Sequence, residues 1–151
     1  MTDDPITSFR GEYAFLSNFF LHPIEIDGGT YPTNEHAFQA LKTDDPAERQ
    51  KVREAKTPAS AKSLGKRVTL REGWDTLRFE VMKRVVRAKF ADPDLAEMLR
   101  GTGERELIEL NTWRDSTWGC VLGKDGSWKG RNELGKILMR VREELKAGDA
   151  Y

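Results

Sequence analysis

The sequence predicts an α+β fold, a mostly helical single domain with a small β-sheet. Three observations point there. Trp74, Leu77, Val81, Met82, Val85, Val86 and Phe90 recur at helical spacing within residues 71–91, an amphipathic stripe. The pairs Asp45-Pro46, Thr57-Pro58 and Asp92-Pro93 each set a capping side chain before a proline suited to a first helical turn. Ile24-Glu25-Ile26 alternates and runs into Asp27-Gly28-Gly29, a turn that supplies positive φ.

The elements follow in order. Residues 6–32 read as irregular β structure, with Thr30-Tyr31 as a returning strand that Pro32 ends. A short helix over about 34–42 is capped by Thr33 or Asn34. A polar helix runs from Pro46 to about Lys56, and another opens at Pro58 and closes at Gly65. After the 71–91 helix, one carrying Leu95, Met98 and Leu99 stops at Gly101-Thr102-Gly103. Glu106–Leu110 reads as a short strand. Residues 111–130 hold three Trp and four Gly and read as a long structured loop. Asn132 then caps a closing helix that buries Leu134, Ile137, Leu138, Val141 and Leu145. Neither a repeat nor a linker divides the chain, so one domain over 6–147 is expected, with flexible termini at 1–5 and 148–151.

Composition narrows the function classes. The 151 residues include 25 Lys plus Arg and 25 Asp plus Glu, for zero net charge. Bulk charge therefore gives no reason to expect a nucleic-acid or membrane partner, while leaving room for a local basic groove. The lone Cys120 rules out an internal disulfide framework. No apolar run approaches the roughly 20 residues needed to span a bilayer. The acidic start Met1-Thr2-Asp3-Asp4-Pro5 lacks the basic and apolar regions of a signal peptide. A soluble, cytoplasmic protein is expected.

The chemistry concentrates in Thr33-Asn34-Glu35-His36-Ala37-Phe38-Gln39-Ala40-Leu41-Lys42. On a helix, Glu35, Gln39 and Lys42 share one face while Phe38 and Leu41 enter a core. Each charge also has a plainer explanation. First-turn carboxylates and last-turn amines complement the helix dipole. Glu35 and Lys42 lie roughly 10 Å apart along a helix, too far for a direct pair, but they suit opposite sides of a ligand. A desolvated lysine becomes a nucleophile.

Asp115-Ser116-Thr117-Trp118-Gly119 offers a second carboxylate beside an aromatic wall, or simply a turn with a buried Trp. The Gly-rich segment 123–135 opens a helix whose N–H groups suit phosphate, yet it matches neither a Walker A loop nor a dinucleotide fingerprint. Trp74 reads first as core. Lys62, Lys66, Arg67 and Arg71, and the run Lys83-Arg84 with Arg87 and Lys89, read as solvated helix faces, with phosphate binding the second option. Cys120 has no His partner motif, so neither a metal site nor a thiol nucleophile is expected.

Taken together, these segments resemble the NADAR family, named for NAD and ADP-ribose association. The resemblance rests on Phe15-Leu16-Ser17-Asn18-Phe19 after an N-terminal strand, the 33–42 stretch, Leu64-Gly65-Lys66, Trp74, Lys89-Phe90, Asp115 with Trp118-Gly119, and Gly130-Arg131-Asn132-Glu133-Leu134-Gly135 followed by Leu138-Met139-Arg140-Val141-Arg142. The pieces occur in the family's order over about residues 9–146. Cys120 departs from the aliphatic or acidic residue expected after Trp118-Gly119.

The resemblance implies N-glycosidic hydrolysis with no metal and no cofactor. One family branch cleaves phosphorylated ribosylamino-pyrimidine intermediates of riboflavin synthesis. Another removes ADP-ribose from guanine in nucleic acid. It implies Glu35, Lys42 and Asp115 as catalytic residues and Ser17, Asn18, Phe19, Trp74, Trp118, Gly119 and Asn132 as substrate contacts. The expected partner is an ADP-ribosyl or phosphoribosyl-amine substrate, on the first choice carried as a modified guanine in a single strand. The alternatives are the riboflavin-type substrate and a non-catalytic ADP-ribose or nucleotide-binding module. Two routes fit the residues, a Schiff base on Lys42 or direct water attack between two carboxylates.

Overall fold

The computed structural model describes residues 3–148, so of the termini expected to be flexible, 1–5 and 148–151, residues 1–2 and 149–151 lie outside the described residues. It has the expected α+β class, with six α-helices and two small sheets among those residues. The chain divides into two compact units, Asn18–Lys89 and a second made of Met1–Ser17 with Phe90–Tyr151.

The Asn18–Lys89 unit begins with a hairpin of β1 (Ile24–Ile26) and β2 (Gly29–Tyr31). Ile24 lies opposite Tyr31 and Ile26 opposite Gly29. Asp27 and Gly28 sit at φ 50° and 78°. Two consecutive left-handed residues make the tight turn whose twist matches antiparallel strands.

Four helices follow: α1 (Asn34–Ala40), α2 (Pro46–Arg53), α3 (Pro58–Gly65) and α4 (Trp74–Lys89). The caps are those the sequence indicates. Thr33 Oγ1 accepts from His36 N at 3.1 Å, Asp45 Oδ1 from Ala47 N at 2.8 Å, and Thr57 Oγ1 from Ser60 N at 3.0 Å. Each supplies an acceptor to a first-turn N–H that has no partner within its helix.

Helix α1 packs against α2, α3, α4 and the hairpin, and all seven of its residues are buried. The two-faced helix expected from sequence is thus enclosed all round, because neighbours cover its polar side as well. Lys89 needs a similar correction: it is 2% exposed, not part of a solvated face. Its spacing carried the signal, since Lys89 lies four residues after Val85 and three after Val86, on the continuation of the apolar stripe.

The second unit joins the N-terminal segment to the C-terminal half. Ile6 bridges Leu107 in parallel, with Ile6 N donating to Glu106 O at 2.8 Å and Ile108 N to Ile6 O at 3.0 Å. Residues Gly11–Leu16 form a 3-10 turn instead of the expected β structure, sending Phe15 and Leu16 inward. The Phe15 ring meets Phe90 edge to face, centroids 6.5 Å apart. Helices α5 (Pro93–Arg100) and α6 (Glu133–Lys146) pack together. Buried Arg142 ties the turn after α5 to α6, donating to Thr102 Oγ1 at 2.9 Å and Arg105 O at 2.8 Å.

Two expectations fail here. The strand read at 106–110 contracts to the Ile6–Leu107 bridge and β3 (Leu110–Asn111). The long loop contains two strands, β4 (Cys120–Leu122) and β5 (Trp128–Lys129). They form a β3-β4-β5 sheet in which β3 and β4 are parallel and β5 is antiparallel. The two-residue β3 and β5 are too short to alternate and Cys120-Val121-Leu122 does not, so pairing alone defines them.

Candidate active site

The 33–42 stretch is positioned from three sides within its unit. Asn18 O accepts the backbone N–H of Glu35 at 3.0 Å, and Asn18 Oδ1 accepts from Asn34 Nδ2 at 3.1 Å. Asn18 thereby satisfies first-turn donors of α1 while buried itself. His36 is a structural residue: Nδ1 lies 2.8 Å from Thr33 Oγ1 and Nε2 lies 2.9 Å from the Ala55 carbonyl. A carbonyl only accepts, so Nε2 carries the proton in that bond. At the far end, Arg71 donates its backbone N–H to Lys42 O at 2.8 Å and Nη1 to Leu41 O at 3.2 Å. Both ends of the stretch are therefore fixed.

Glu35 is 8% exposed, and Gln39 Nε2 donates to its Oε2 at 2.6 Å. The pair is one helical turn apart, which brings i and i+4 side chains together. Gln39 is held in turn by α3. A Cβ on Gly65 would stand 1.9 Å from Gln39 Oε1 and 2.9 Å from Gln39 Cβ, so glycine is what lets α3 approach this closely. Asn34 Oδ1 and Gln39 Oε1 are buried acceptors without a protein partner.

Lys42 is half-buried, and its Nζ lies 6.0 Å from the Phe38 ring centroid. Burial holds its ammonium below the ordinary lysine value. Glu35 opposes that shift, and Lys62, Lys66 and Arg78 reinforce it. Phe38 packs against Trp74 with centroids 5.4 Å apart. A shallow groove of about 260 Å³ runs along Leu70, Arg71, Gly73, Trp74, Asp75 and Thr76. The larger hollow, about 390 Å³ beside the β1–β2 turn, contains none of the candidate residues. In this unit, then, the structure brings together Asn18, Glu35, Lys42 and Trp74. Phe19, also in this unit, is 44% exposed.

The remaining candidates lie in the second unit, where structural duties account for much of their geometry. Asp115 Oδ1 accepts from Thr117 N at 3.0 Å and Trp118 N at 2.9 Å, ordering its own loop. Ser17 N donates to Ala14 O at 3.0 Å, closing the 3-10 turn. Gly119 lies so close to Glu109 O that a Cβ would stand 2.1 Å from it. Asn132 occupies the N-cap position of α6 at φ 51° but makes no side-chain cap, contrary to the sequence expectation. Its side chain instead accepts from Glu109 N at 3.1 Å and donates to Leu107 O at 2.9 Å. Cys120 is buried, and burial raises its thiol pKa, away from the reactive thiolate. Among the described residues no three His, Cys, Asp or Glu side chains stand together as metal donors.

Three residues gain importance beyond the sequence reading. Gln39 shares a face with Glu35, which spacing showed, but its hydrogen bond required the rotamer. Gly65, a helix end and part of the Leu64-Gly65-Lys66 segment, also leaves the space that Gln39 occupies. Lys89 is enclosed, its Nζ 5.3 Å from the Phe20 ring centroid, and burial pushes its pKa down to about 7.

The fold and these residues define an α+β protein in which a buried helix bears an acid and is followed, two residues past its end, by an amine. The NADAR domain profile matches residues 7–146. The chain belongs to the NADAR family. It is 38% identical over 141 residues to N-glycosidase YbiA of Escherichia coli K12, covering 91% of this chain and 85% of the relative. The solution structure of E. coli YbiA superposes with a TM-score of 0.82 at 37% identity, covering 98% of this chain and 88% of that one. A riboflavin biosynthesis protein of Vibrio vulnificus, VVA0006, is 42% identical over 142 residues, but this chain spans 37% of its length. No helix among the described residues is long and apolar enough to cross a membrane.

Proposed function

We propose that this NADAR-family chain is an N-glycosidase that hydrolyses the bond between ribose C1 and an exocyclic amine of a base, with ADP-ribosylated guanine as substrate. The observation that carries the reading is the setting of Lys42. It is an amine whose basicity is lowered by burial and by three further cations, within the field of the Glu35 carboxylate. A lysine with a depressed pKa is more often unprotonated and nucleophilic at neutral pH.

The proposed sequence uses these two groups. Glu35, as its carboxylic acid, delivers a proton to the ring oxygen as the C1–O bond opens, leaving a protonated imine between C1 and the base nitrogen and Glu35 as carboxylate. The free electron pair of Lys42 adds to C1. A proton passes from the lysine nitrogen to the base nitrogen, the C1–N bond to the base breaks, and the base leaves as a neutral amine. The open sugar is then a Schiff base on Lys42. Water adds to C1 and expels the lysine, giving the free sugar aldehyde. One water is consumed, the proton released with the aldehyde returns to Glu35, and the enzyme is restored. Splitting one difficult substitution into two imine exchanges is the benefit of covalent catalysis.

Lys62, Lys66 and Arg78 contribute differently. Their fields reach Lys42 strongly enough to lower its pKa. A cluster of cations suits a polyanion, and a diphosphate satisfies more of it than a single phosphate does. A second reading, a phosphorylated ribosylamino-pyrimidine, is favoured by the name of the Vibrio relative, a riboflavin biosynthesis protein. Side-by-side turnover of ADP-ribosyl-guanosine and the ribosylamino-pyrimidine phosphate separates the two. Borohydride added during turnover is expected to fix sugar mass on Lys42. Turnover with no adduct would reject the covalent route in favour of direct water attack, and turnover of neither substrate would support a binding module instead.

A further inference from the structure

We infer that one end of the β3-β4-β5 sheet is a stacking platform for a single-stranded nucleic acid. The inference starts from topology. β3 and β4 are parallel and so finish at the same end of the sheet, where antiparallel β5 begins. The segment just beyond β3, the last residue of β4, the β4–β5 turn and the two-residue β5 itself therefore gather there. These positions hold Trp113-Arg114, Leu122, Lys124 and Trp128-Lys129. Leu122 and Trp128 are direct register partners.

All six side chains are exposed. Trp113 is 54%, Leu122 62% and Trp128 42% accessible, which is unusual for large apolar groups gathered at one sheet end. The cations Arg114, Lys124 and Lys129 form no ion pair among the described residues. The one fully exposed carboxylate in the turn, Asp125, already accepts from Ser127 N at 3.1 Å and Ser127 Oγ at 2.7 Å. Asp115, at the start of the same loop, directs Oδ1 onto backbone N–H groups of Thr117 and Trp118. Counting Asp115 and Asp125, three cations face two carboxylates, so this end of the sheet carries a net charge of +1 beside two indoles in a chain of zero net charge.

That combination selects the occupant. Lysine is depleted from the cores of protein–protein interfaces, whereas a strand of phosphates complements unpaired cations. Indole faces stack on any base, which gives affinity without sequence preference. The inference rests on the proposed nucleic-acid-linked substrate, since such a platform has no use for a free pyrimidine phosphate.

The test uses the intact protein and a short unmodified oligothymidylate, followed by tryptophan fluorescence and anisotropy. Binding is expected at low salt. Engaging three phosphates should weaken it with a log–log salt slope of about −2. Trp113→Ala and Trp128→Ala are each expected to lower affinity about tenfold. Lys124→Glu with Lys129→Glu should lower it further and flatten the salt slope. These surface substitutions should leave turnover of the small ADP-ribosyl-guanosine unchanged and reduce kcat/KM only for the strand-linked substrate. No oligothymidylate binding, or binding that none of these substitutions alters, overturns the platform. So does self-association that Trp128→Ala abolishes in the absence of oligonucleotide binding, which would assign this surface to a second copy. If the oligonucleotide binds as expected but neither glycosidase substrate is turned over, the catalytic reading fails and the platform stands.

Discussion

Replacing Gly65 with alanine tests how the acid on α1 is held. The new Cβ would stand 1.9 Å from Gln39 Oε1, 2.7 Å from Gln39 Cδ and 2.9 Å from Gln39 Cβ. Rotation of the amide relieves the first two contacts, but the third belongs to an atom fixed to the α1 backbone. Either α1 and α3 separate or Gln39 gives up its 2.6 Å bond to Glu35. Overpacking of this kind costs about 1–3 kcal/mol, and losing a hydrogen bond to a charged group costs about 1.5–3 kcal/mol. Alanine's better helix propensity offsets up to about 1 kcal/mol. Because the two responses are alternatives, the net expectation is a loss of about 1–2 kcal/mol, or a Tm lower by about 2–8 °C for a chain of this size.

A double-mutant cycle with Gln39→Ala isolates the contact. Shortening Gln39 removes the Oε1 and Cδ contacts and leaves only the one at Cβ, so the double variant should recover part of the loss relative to the sum of the singles, with a coupling of about 0.5–1 kcal/mol. Thermal unfolding and kcat, measured on all four proteins, read out packing and carboxylate placement separately. A stable, fully active Gly65→Ala protein, or an additive cycle, would refute the claim that this close approach positions Glu35.

Other outcomes follow from the same structure. Glu35→Gln and Lys42→Met should each lower kcat far more than they raise KM, and kcat should reach its plateau at a pH below the ordinary lysine range, as Lys42's depressed pKa requires. Lys89 has a native pKa of about 7 against an ordinary 10.5, so between those values the unfolded chain holds a proton that the native chain lacks. Stability should therefore rise with pH across that window, seen as a rising urea midpoint, and Lys89→Met should flatten the rise; equal slopes in both proteins would contradict it. Gly135→Ala drives a Cβ to within 2.1 Å of the Leu107 carbonyl, a backbone atom with little freedom. It should lower stability by about 2 kcal/mol or more, measured by urea unfolding. Asp115→Asn keeps an acceptor for Thr117 N and Trp118 N and should unfold at nearly the wild-type temperature. Asp115→Ala should cost about 1–2 kcal/mol, and equal melting of the two variants would show that those hydrogen bonds do not order the loop.

Local physics explains which elements were legible beforehand. The helix starts at Pro46, Pro58 and Pro93 rest on a side-chain acceptor and a pre-set φ at adjacent positions, so the information lies within a few residues. The Asp27-Gly28 turn is equally local. Strands β4 and β5 are not: three and two residues long, they exist through bonds to segments elsewhere, such as Cys120 N to Glu109 O at 2.8 Å. The failed cap at Asn132 has the same origin. Its type suits a cap, but its amide is taken by Leu107 and Glu109, more than twenty residues earlier.

The sequence by itself determined the α+β class, the positions of most helices and the spacing of Glu35, Gln39 and Lys42, because helical periodicity and capping are short-range properties of a chain. Only the tertiary structure decided what surrounds those side chains. It enclosed α1 on every side, set Gln39 against Glu35 through the gap left by Gly65, and put Lys89 in the core. A side chain's hydration, and with it the basicity of an amine such as Lys42, depends on neighbours from distant parts of the chain.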